Sequence, residues 1–198
     1  MSDTFYQVVR VVFWPIRCIL FPIQAQGQEN LPQGPVVLCA NHSHWIDPVL
    51  VVYALPRQYH YCIMAKKQLF ENPAAAWVLG KLGAFPVDRG HSDISAVKTS
   101  IRSLKDGISL LIFPEGTRVE SPEEAPPKGG AAMIAIRSGV DMLPVYISTE
   151  KRVFHCTRVV FGQPYTPQYE SRKGTAEEYQ ANADEIMRRV YALGGERA

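Results

Sequence analysis

Two residues five positions apart, His42 and Asp47, carry side chains suited to acid–base chemistry. The apolar run 36–40 before them has the character of a strand, and residues 49–55 after them have that of a helix. Asp47 followed by Pro48 is typical of a helix start, with Asp as the N-cap and Pro at the first helical position. A loop that folds back would let the carboxylate hold one ring nitrogen of His42 and leave the other free as a base.

The pair alone also fits a plain turn followed by a helix cap, because a His and an Asp at this spacing often arise by chance. On one continuous helix, positions five apart would not share a face, so the chemical interpretation requires the loop. No Ser or Cys nucleophile motif accompanies the pair. A proton accepted by His42 would therefore come from a substrate.

Strand-like and helix-like segments alternate around this pair, which predicts a single α/β domain with a mixed, largely parallel sheet flanked by helices. Strands are expected at 36–40, 60–65, 83–89, 108–113, 141–147 and 153–162. Helices are expected at 49–55, at 72–82, from Ser92 or Asp93 to Gly107, at 129–138 and after the capping box Thr175–Glu178. Ligands of such sheets gather at the carboxyl ends of strands, where His42, Lys66, Lys67 and residues 115–118 fall.

The composition fits one globular domain, because the 198 residues are 46% hydrophobic and 20% charged. A net charge of +2 argues against nucleic acid as a partner of the whole molecule. The four cysteines form no C-x-x-C pair, which favours buried thiols in a reducing compartment and argues against a structural metal.

Residues 5–23 are strongly apolar but are interrupted by Arg10, Arg17 and Pro15. A spanning helix would need about 20 apolar residues without central charges. The two arginines are seven apart and share a helical face, which predicts an interfacial helix on the cytoplasmic face of the cell membrane. An amphipathic helix packed on the domain is the alternative. The expected division is therefore a membrane-associating segment, 1–26, and a domain, 27–198.

Four blocks of the sequence, taken together, resemble the glycerolipid acyltransferase family, and in particular its small bacterial 1-acyl-sn-glycerol-3-phosphate acyltransferases. The first block is Asn41-His42 through Asp47, and the second is 83–89, which ends in Arg. The third is Phe-Pro-Glu-Gly-Thr-Arg at 113–118, and the fourth is Leu-Pro-Val at 143–145.

The resemblance implies transfer of a fatty acyl group from acyl carrier protein or coenzyme A to the sn-2 hydroxyl of 1-acyl-sn-glycerol 3-phosphate, giving phosphatidate. It implies that His42 is the general base for that hydroxyl and that Asp47 orients the ring, in the manner of a triad whose nucleophile is the substrate. Direct transfer would need no acyl-enzyme, no metal and no cofactor beyond the thioester. The expected partners are the lysophospholipid acceptor, the thioester donor and a membrane surface.

The resemblance also suggests substrate-binding residues. Arg89 and Arg118 would bind the acceptor phosphate, since the guanidinium fork suits phosphate oxygens. Gly116, next to Thr117 in the same block, would let backbone N–H groups approach the ligand closely. Further candidates from the same strand ends are Lys66 and Lys67, which either add positive charge beside the phosphate or are solvated lysines at the sheet edge. Glu115 is another candidate, which either holds an arginine in place or accepts a hydrogen bond from an acceptor hydroxyl.

The chain departs from the family pattern at His44, where many members have Ser, and at Val119, where Ser often follows the Arg. The acceptor could therefore be glycerol 3-phosphate, another lysophospholipid or a lyso-aminolipid. Two other classes also remain open: a lipid-binding membrane module without turnover, and a thioesterase in which His42 activates water.

Overall fold

The structure, a computed structural model, describes residues 21–88 and 93–195, and their centre is a seven-stranded sheet. The strands are β1 (Ile23–Gln26), β2 (Val37–Ala40), β3 (Tyr61–Lys66), β4 (Ala84–Val87), β5 (Ser109–Ile112), β6 (Met142–Ile147) and β7 (Thr157–Phe161). Their order across the sheet is β1-β7-β6-β2-β5-β3-β4. Every neighbouring pair is parallel except β6 with β7, which confirms the mixed, largely parallel α/β sheet.

Five helices of the described chain cover the two faces of this sheet: α1 (Asp47–Ala54), α2 (Pro73–Lys81), α3 (Ile94–Lys105), α4 (Gly130–Ser138) and α5 (Ala176–Gly194). One core joins α1 to the first face through Leu38 and Leu143. The other joins α3, α4 and α5 to the second face through Val37 and Met142. Because β2 is covered on both sides, its sequence is an unbroken apolar run.

The helix boundaries follow from local capping chemistry. The Asn72 side chain accepts from the backbone N–H groups of Ala74 and Ala75 at the start of α2. The predicted capping box of α5 is present, with Thr175 and Glu178 each bonding to the other's backbone. Among the described helices, none is both long and apolar enough to cross a membrane.

The sheet begins earlier in the chain than the apolar pattern predicted. Residues 23–26, within the expected membrane-associating segment 1–26, form β1, which pairs in parallel with β7 at the edge of the sheet. Only four residues long and half-buried, β1 gives too short a pattern to recognise. The strand expected at 153–162 is also shorter, because residues 148–156 form a loop. The predicted interfacial helix lies almost wholly in residues 1–20, outside the described residues.

Candidate active site

The loop from β2 to α1 folds back and brings His42 and Asp47 together. His42 Nδ1 lies 3.0 Å from Asp47 Oδ2, and both residues are buried. With Nδ1 engaged by the carboxylate, Nε2 is the nitrogen that can accept a proton from a substrate. Asp47 is not the N-cap that the sequence suggested: Ile46 takes that position, and Asp47 is the first residue of α1. Its carboxylate turns back into the loop.

That loop is built around the Asp47 carboxylate. Oδ2 also accepts from the backbone N–H groups of Ser43 at 2.8 Å and His44 at 2.7 Å. Burial by itself would raise the pKa of Asp47, but the His42 hydrogen bond, the nearby Lys151 ammonium and the His44 N–H outweigh it and lower the pKa below its usual value. The carboxylate therefore stays ionised and can stabilise an imidazolium on His42.

Lys151, which the sequence analysis did not single out, completes the surroundings of Asp47. Its Nζ lies 2.8 Å from Asp47 Oδ1 and 2.5 Å from Ser43 Oγ, to which it donates. The Lys151 side chain is 1% exposed and that of Asp47 is 0% exposed, so this ion pair is shielded from solvent. Lys151 belongs to the loop after β6, more than 100 positions along the chain. No local sequence pattern points to it.

Glu115, at the end of β5, holds the backbone of His42. Its Oε2 accepts from the His42 N–H at 2.8 Å, and its Oε1 accepts from the hydroxyl of Tyr191 on α5. Burial raises the pKa of Glu115 to about 7, the nearby Asp47 charge acts in the same direction, and these two hydrogen bonds oppose the rise. The side chain is 3% exposed and is directed at His42 and Tyr191.

Two further contacts fix the ends of the strands that carry these residues. The Asn41 amide bonds both backbone groups of Ile147, accepting from its N–H at 2.8 Å and donating to its carbonyl at 2.9 Å. The N–H of Val119 donates to the carbonyl of His42 at 2.9 Å. Val119, a departure from the family pattern, thus ties the third block to the first through its backbone.

A cavity of about 520 Å³ opens beside Glu115, lined also by Gly116, Thr117, Lys128 and Gln180 among others. Gly116 has φ +70, a conformation that favours glycine. A Cβ on Gly116 would lie 3.1 Å from Lys128 Nζ, so the lysine ammonium packs over the glycine backbone. Lys128 is a cation at this cavity that the sequence analysis missed.

The other predicted site residues lie at the same edge of the sheet but farther from His42. Thr117 and Arg118 are exposed in the loop after β5. Lys66 ends β3 and Lys67 begins the short 3-10 turn Lys67–Phe70, both exposed, and β5 separates their strand from β2. Arg89 lies outside the described residues. The structure thus brings His42, Asp47 and Glu115 into direct contact and leaves the basic candidates around them.

Comparison with known proteins gives a consistent result. A family model described as Acyltransferase matches residues 22–148. The chain is 39% identical to the 1-acyl-sn-glycerol-3-phosphate acyltransferase of Bacillus subtilis over 150 residues, covering 72% of this chain and 73% of that protein. It is 41% identical to the protein of the same name from Streptococcus pneumoniae over 111 residues, covering 55% of this chain and 40% of that one.

Two other proteins match at lower identity. A lyso-ornithine lipid O-acyltransferase of Pseudomonas aeruginosa is 29% identical over 138 residues, which cover 69% of this chain and 53% of that protein. The crystal structure of the 1-acyl-sn-glycerophosphate (LPA) acyltransferase PlsC from Thermotoga maritima superposes with a TM-score of 0.68 at 24% identity. That superposition covers 99% of this chain and 79% of the other, and it supports the fold described above.

Proposed function

Because the chain belongs to the Acyltransferase family, we propose that it transfers a fatty acyl group from a thioester to the sn-2 hydroxyl of 1-acyl-sn-glycerol 3-phosphate, giving phosphatidate. The protein is an acyltransferase, and relatives at 39% and 41% identity carry the name of this activity. The observation that carries the proposal is the buried contact of 3.0 Å between His42 Nδ1 and Asp47 Oδ2 at a strand end.

In the proposed mechanism, His42 Nε2 removes the proton of the acceptor hydroxyl as its oxygen attacks the thioester carbonyl carbon. The tetrahedral intermediate then expels the thiolate as the C–S bond breaks. The imidazolium returns its proton to the leaving sulfur, so His42 ends the cycle neutral. Asp47 stabilises the imidazolium and fixes the tautomer with Nδ1–H.

The surrounding charges suit a base that becomes a cation during the reaction. With His42 neutral, Asp47 and Lys151 cancel each other. Once His42 is protonated, the group gains one positive charge, which Glu115 can offset because its pKa is raised to about 7 and it titrates near neutral pH. Glu115 therefore acts on His42 through its backbone N–H and its charge.

The acceptor phosphate is proposed to lie at the cavity beside Glu115. Arg118 follows Thr117 of the cavity lining and is proposed to supply a bidentate donor, while the Gly116 backbone permits close approach. Lys128 adds a further cation at the cavity wall. Lys66, Lys67 and Arg89 remain proposed contributors on the sequence pattern alone.

Acyl carrier protein and coenzyme A both present the acyl group as a thioester, so either is a proposed donor. The acyl chains of donor and acceptor favour work at a membrane surface, and we place the protein on the cytoplasmic face of the cell membrane. In this proposal residues 5–20 lie in the bilayer interface, as their two arginines and aromatic residues suggest.

A lyso-aminolipid is the second candidate acceptor, because one relative over 69% of this chain is named a lyso-ornithine lipid O-acyltransferase. That acceptor also offers a hydroxyl to His42 but carries no phosphate. It would leave the mechanism unchanged and remove the need for Arg118.

The test is an assay of the purified protein that crosses both thioester donors with lysophosphatidate, glycerol 3-phosphate, neutral monoacylglycerol and lyso-ornithine lipid. We expect phosphatidate from lysophosphatidate with at least one donor, at a rate well above that with the neutral acceptor. Free fatty acid released equally with and without acceptor would indicate a thioesterase instead. Vesicle binding without any product would indicate a lipid-binding module.

A further inference from the structure

The helix α2 has an apolar surface that the described chain does not bury. Its sequence, Pro-Ala-Ala-Ala-Trp-Val-Leu-Gly-Lys, carries a single charged residue, Lys81, and none of its residues is buried. A helix that is apolar all round is normally covered by protein or lipid. Trp77 is 57% exposed and Leu69, in the preceding turn, is 53% exposed.

This surface lies on the same side of the sheet as the catalytic loop. Leu82 and Ala84, directly after α2, pack against the core that also holds α1. Trp45, which is 63% exposed, and Val49 belong to the loop and helix that follow His42. The exposed apolar residues Leu69, Trp77 and Val78 form what we call the α2 surface.

The charges around the α2 surface determine what can cover it. Residues 66–81 contain three lysines, Lys66, Lys67 and Lys81, against one acidic residue, Glu71. Lys81 Nζ lies 5.9 Å from the centre of the Trp77 ring. The acidic stretch 120–124 leads into Pro127, whose carbonyl is bonded by Gln180 of α5 on the opposite face. Exposed aromatic and aliphatic side chains beside lysines are typical of a surface that enters an anionic lipid interface.

We propose that the α2 surface docks on an anionic lipid bilayer. The proposal rests on the proposed function only in its reason for docking, since a lysophospholipid acceptor is held in a bilayer. It is separate from the predicted interfacial helix, which lies almost wholly in residues 1–20, outside the described residues.

The docking test uses Trp77 as its probe. In the variant W14F/W45F, Trp77 is the only tryptophan, and its fluorescence is recorded with equimolar phosphatidylglycerol and phosphatidylcholine vesicles that carry brominated acyl chains. We expect a blue shift and strong quenching by bromines near the interface. Unquenched, red-shifted emission from vesicle-bound protein would overturn the proposal.

Emission that is blue-shifted without lipid would also overturn it. A shift that grows with protein concentration would identify a second copy as the cover, and one independent of concentration would identify a segment of the same chain.

A second test removes the apolar side chains. The variant W77Q/V78Q should sediment with the same vesicles roughly tenfold less or weaker still, whereas Y169S should sediment as the wild type does. Tyr169 is a matched control because it is 43% exposed and follows Tyr165, which bridges Met142 of β6, a strand that β2 and β5 separate from β3. The proposal would be contradicted if both variants lost vesicle binding equally, or if neither lost any.

Activity separates this proposal from the proposed function. With a short-chain lysophosphatidate dissolved as monomers, W77Q/V78Q should turn over as fast as the wild type, and it should lag on vesicle-bound substrate. A wild type that binds vesicles through Trp77 but makes no phosphatidate would refute the proposed function and leave docking standing.

The buried ion pair of Lys151 and Asp47 carries a second, independent inference. Burying a lysine ammonium is costly unless it is paired and hydrogen-bonded, and Lys151 is both. Its contact with Oδ1 leaves Oδ2 to His42, so the two carboxylate oxygens are assigned to two different partners. We infer that Lys151 is a positioning residue that fixes the rotation of the Asp47 carboxylate and offsets its charge.

The charge offset predicts a measurable pH effect. A cation beyond Asp47 disfavours the imidazolium on His42, so removing it favours the protonated, inactive form of the base. His42 and Asp47 are surrounded by four other titratable groups from the neighbouring loops, strands and helix. These are Glu115, His44, Lys151 and, through Glu115, Tyr191. Of these, only Lys151 is changed in the variants below.

In K151M we expect kcat to fall roughly 10- to 100-fold and the acidic limb of kcat/KM to move to higher pH, with the KM for the thioester nearly unchanged. K151R keeps the charge and should restore the position of the acidic limb. A lower kcat with an unmoved limb would show that Lys151 is merely structural.

The double variant D47N/K151M covers the case in which K151M fails to fold, because it removes both buried charges together. If Lys151 acts through Asp47, the double variant should be no slower than D47N alone. Multiplicative losses in the double variant would contradict the inference.

Discussion

Glu115 and Tyr191 lie 76 positions apart in the sequence, and the Tyr191 hydroxyl donates a buried hydrogen bond to Glu115 Oε1. The other oxygen of the same carboxylate accepts from the backbone N–H of His42. One buried side chain therefore links the last helix of the described chain to the backbone of the proposed base. The pKa of Glu115, raised by burial to about 7, makes this link sensitive to pH.

The first prediction concerns stability and Glu115. Its ordinary pKa of 4.5 is raised to about 7 in the folded state. Between these values the folded protein keeps a proton that the unfolded chain has released, so the free energy of unfolding falls as pH rises from about 4.5 to about 7. The loss is at most about 3 kcal/mol. Urea unfolding of E115Q across this range should lack this decline, and a wild type that unfolds in parallel with E115Q at every pH would contradict it.

The second prediction concerns Tyr191. Its hydrogen bond lowers the pKa of Glu115, so Y191F should raise that pKa and extend the decline in stability above pH 7. Urea unfolding over the same pH range and above it measures this decline. Y169F, which changes an exposed tyrosine, is the control. A decline that ends at the same pH in Y191F as in the wild type would show that the tyrosine does not act on Glu115.

The third prediction concerns the base itself. H42A should lose roughly 10²- to 10⁴-fold in kcat, the usual contribution of general base catalysis, while its circular dichroism stays that of the wild type. H44A is the matched control on the same loop, since its backbone N–H to Asp47 survives the substitution, and it should lose little activity. Turnover retained in H42A would remove the proposed mechanism.

The fourth prediction concerns phosphate recognition by Arg118. R118A should lower kcat/KM for lysophosphatidate roughly 10- to 100-fold and leave the neutral acceptor monoacylglycerol almost unaffected. R172A, which removes an exposed arginine from the loop before α5, should change neither. Equal losses on both acceptors in R118A would show that the arginine does not recognise the phosphate.

The fifth prediction concerns the clamp between β2 and β6. N41A removes two buried hydrogen bonds and leaves both backbone groups of Ile147 without the amide, which should cost roughly 2–4 kcal/mol of unfolding free energy. N41D should cost more, because a carboxylate cannot donate to the Ile147 carbonyl. Chemical denaturation measures both. A loss below that of the exposed control N72A, which removes only a helix cap, would contradict this role.

The residues with proposed chemical roles were accessible from the sequence, but most of their partners were not. His42, Asp47 and Glu115 follow predicted strands, and parallel strands bring their carboxyl ends together at one edge. Lys151 lies in a polar stretch without periodicity, and only the parallel pairing of β2 with β6 brings its loop to Asp47. Its role follows from tertiary structure alone.

The fold, like the site, was predictable from the sequence only in part. The capping box at Thr175 and the unbroken apolar runs of the interior strands were sufficient to predict α5 and the parallel core. β1 was missed because a half-buried edge strand of four residues owes its conformation to its partner β7. The sequence suggested that Glu115 contacts an arginine or the substrate, whereas the structure directs it at the His42 backbone and Tyr191.

The position of Tyr191 on α5 has a consequence for the order of events during synthesis. A ribosome that has made the chain as far as the third block has already produced His42, Asp47 and Glu115, but the tyrosine that bonds Glu115 is still 76 residues away. The arrangement around His42 is therefore completed only after α5 has left the exit tunnel and packed on the sheet. Until α5 packs on the sheet, the carboxylate that holds the backbone of His42 lacks its bond to Tyr191.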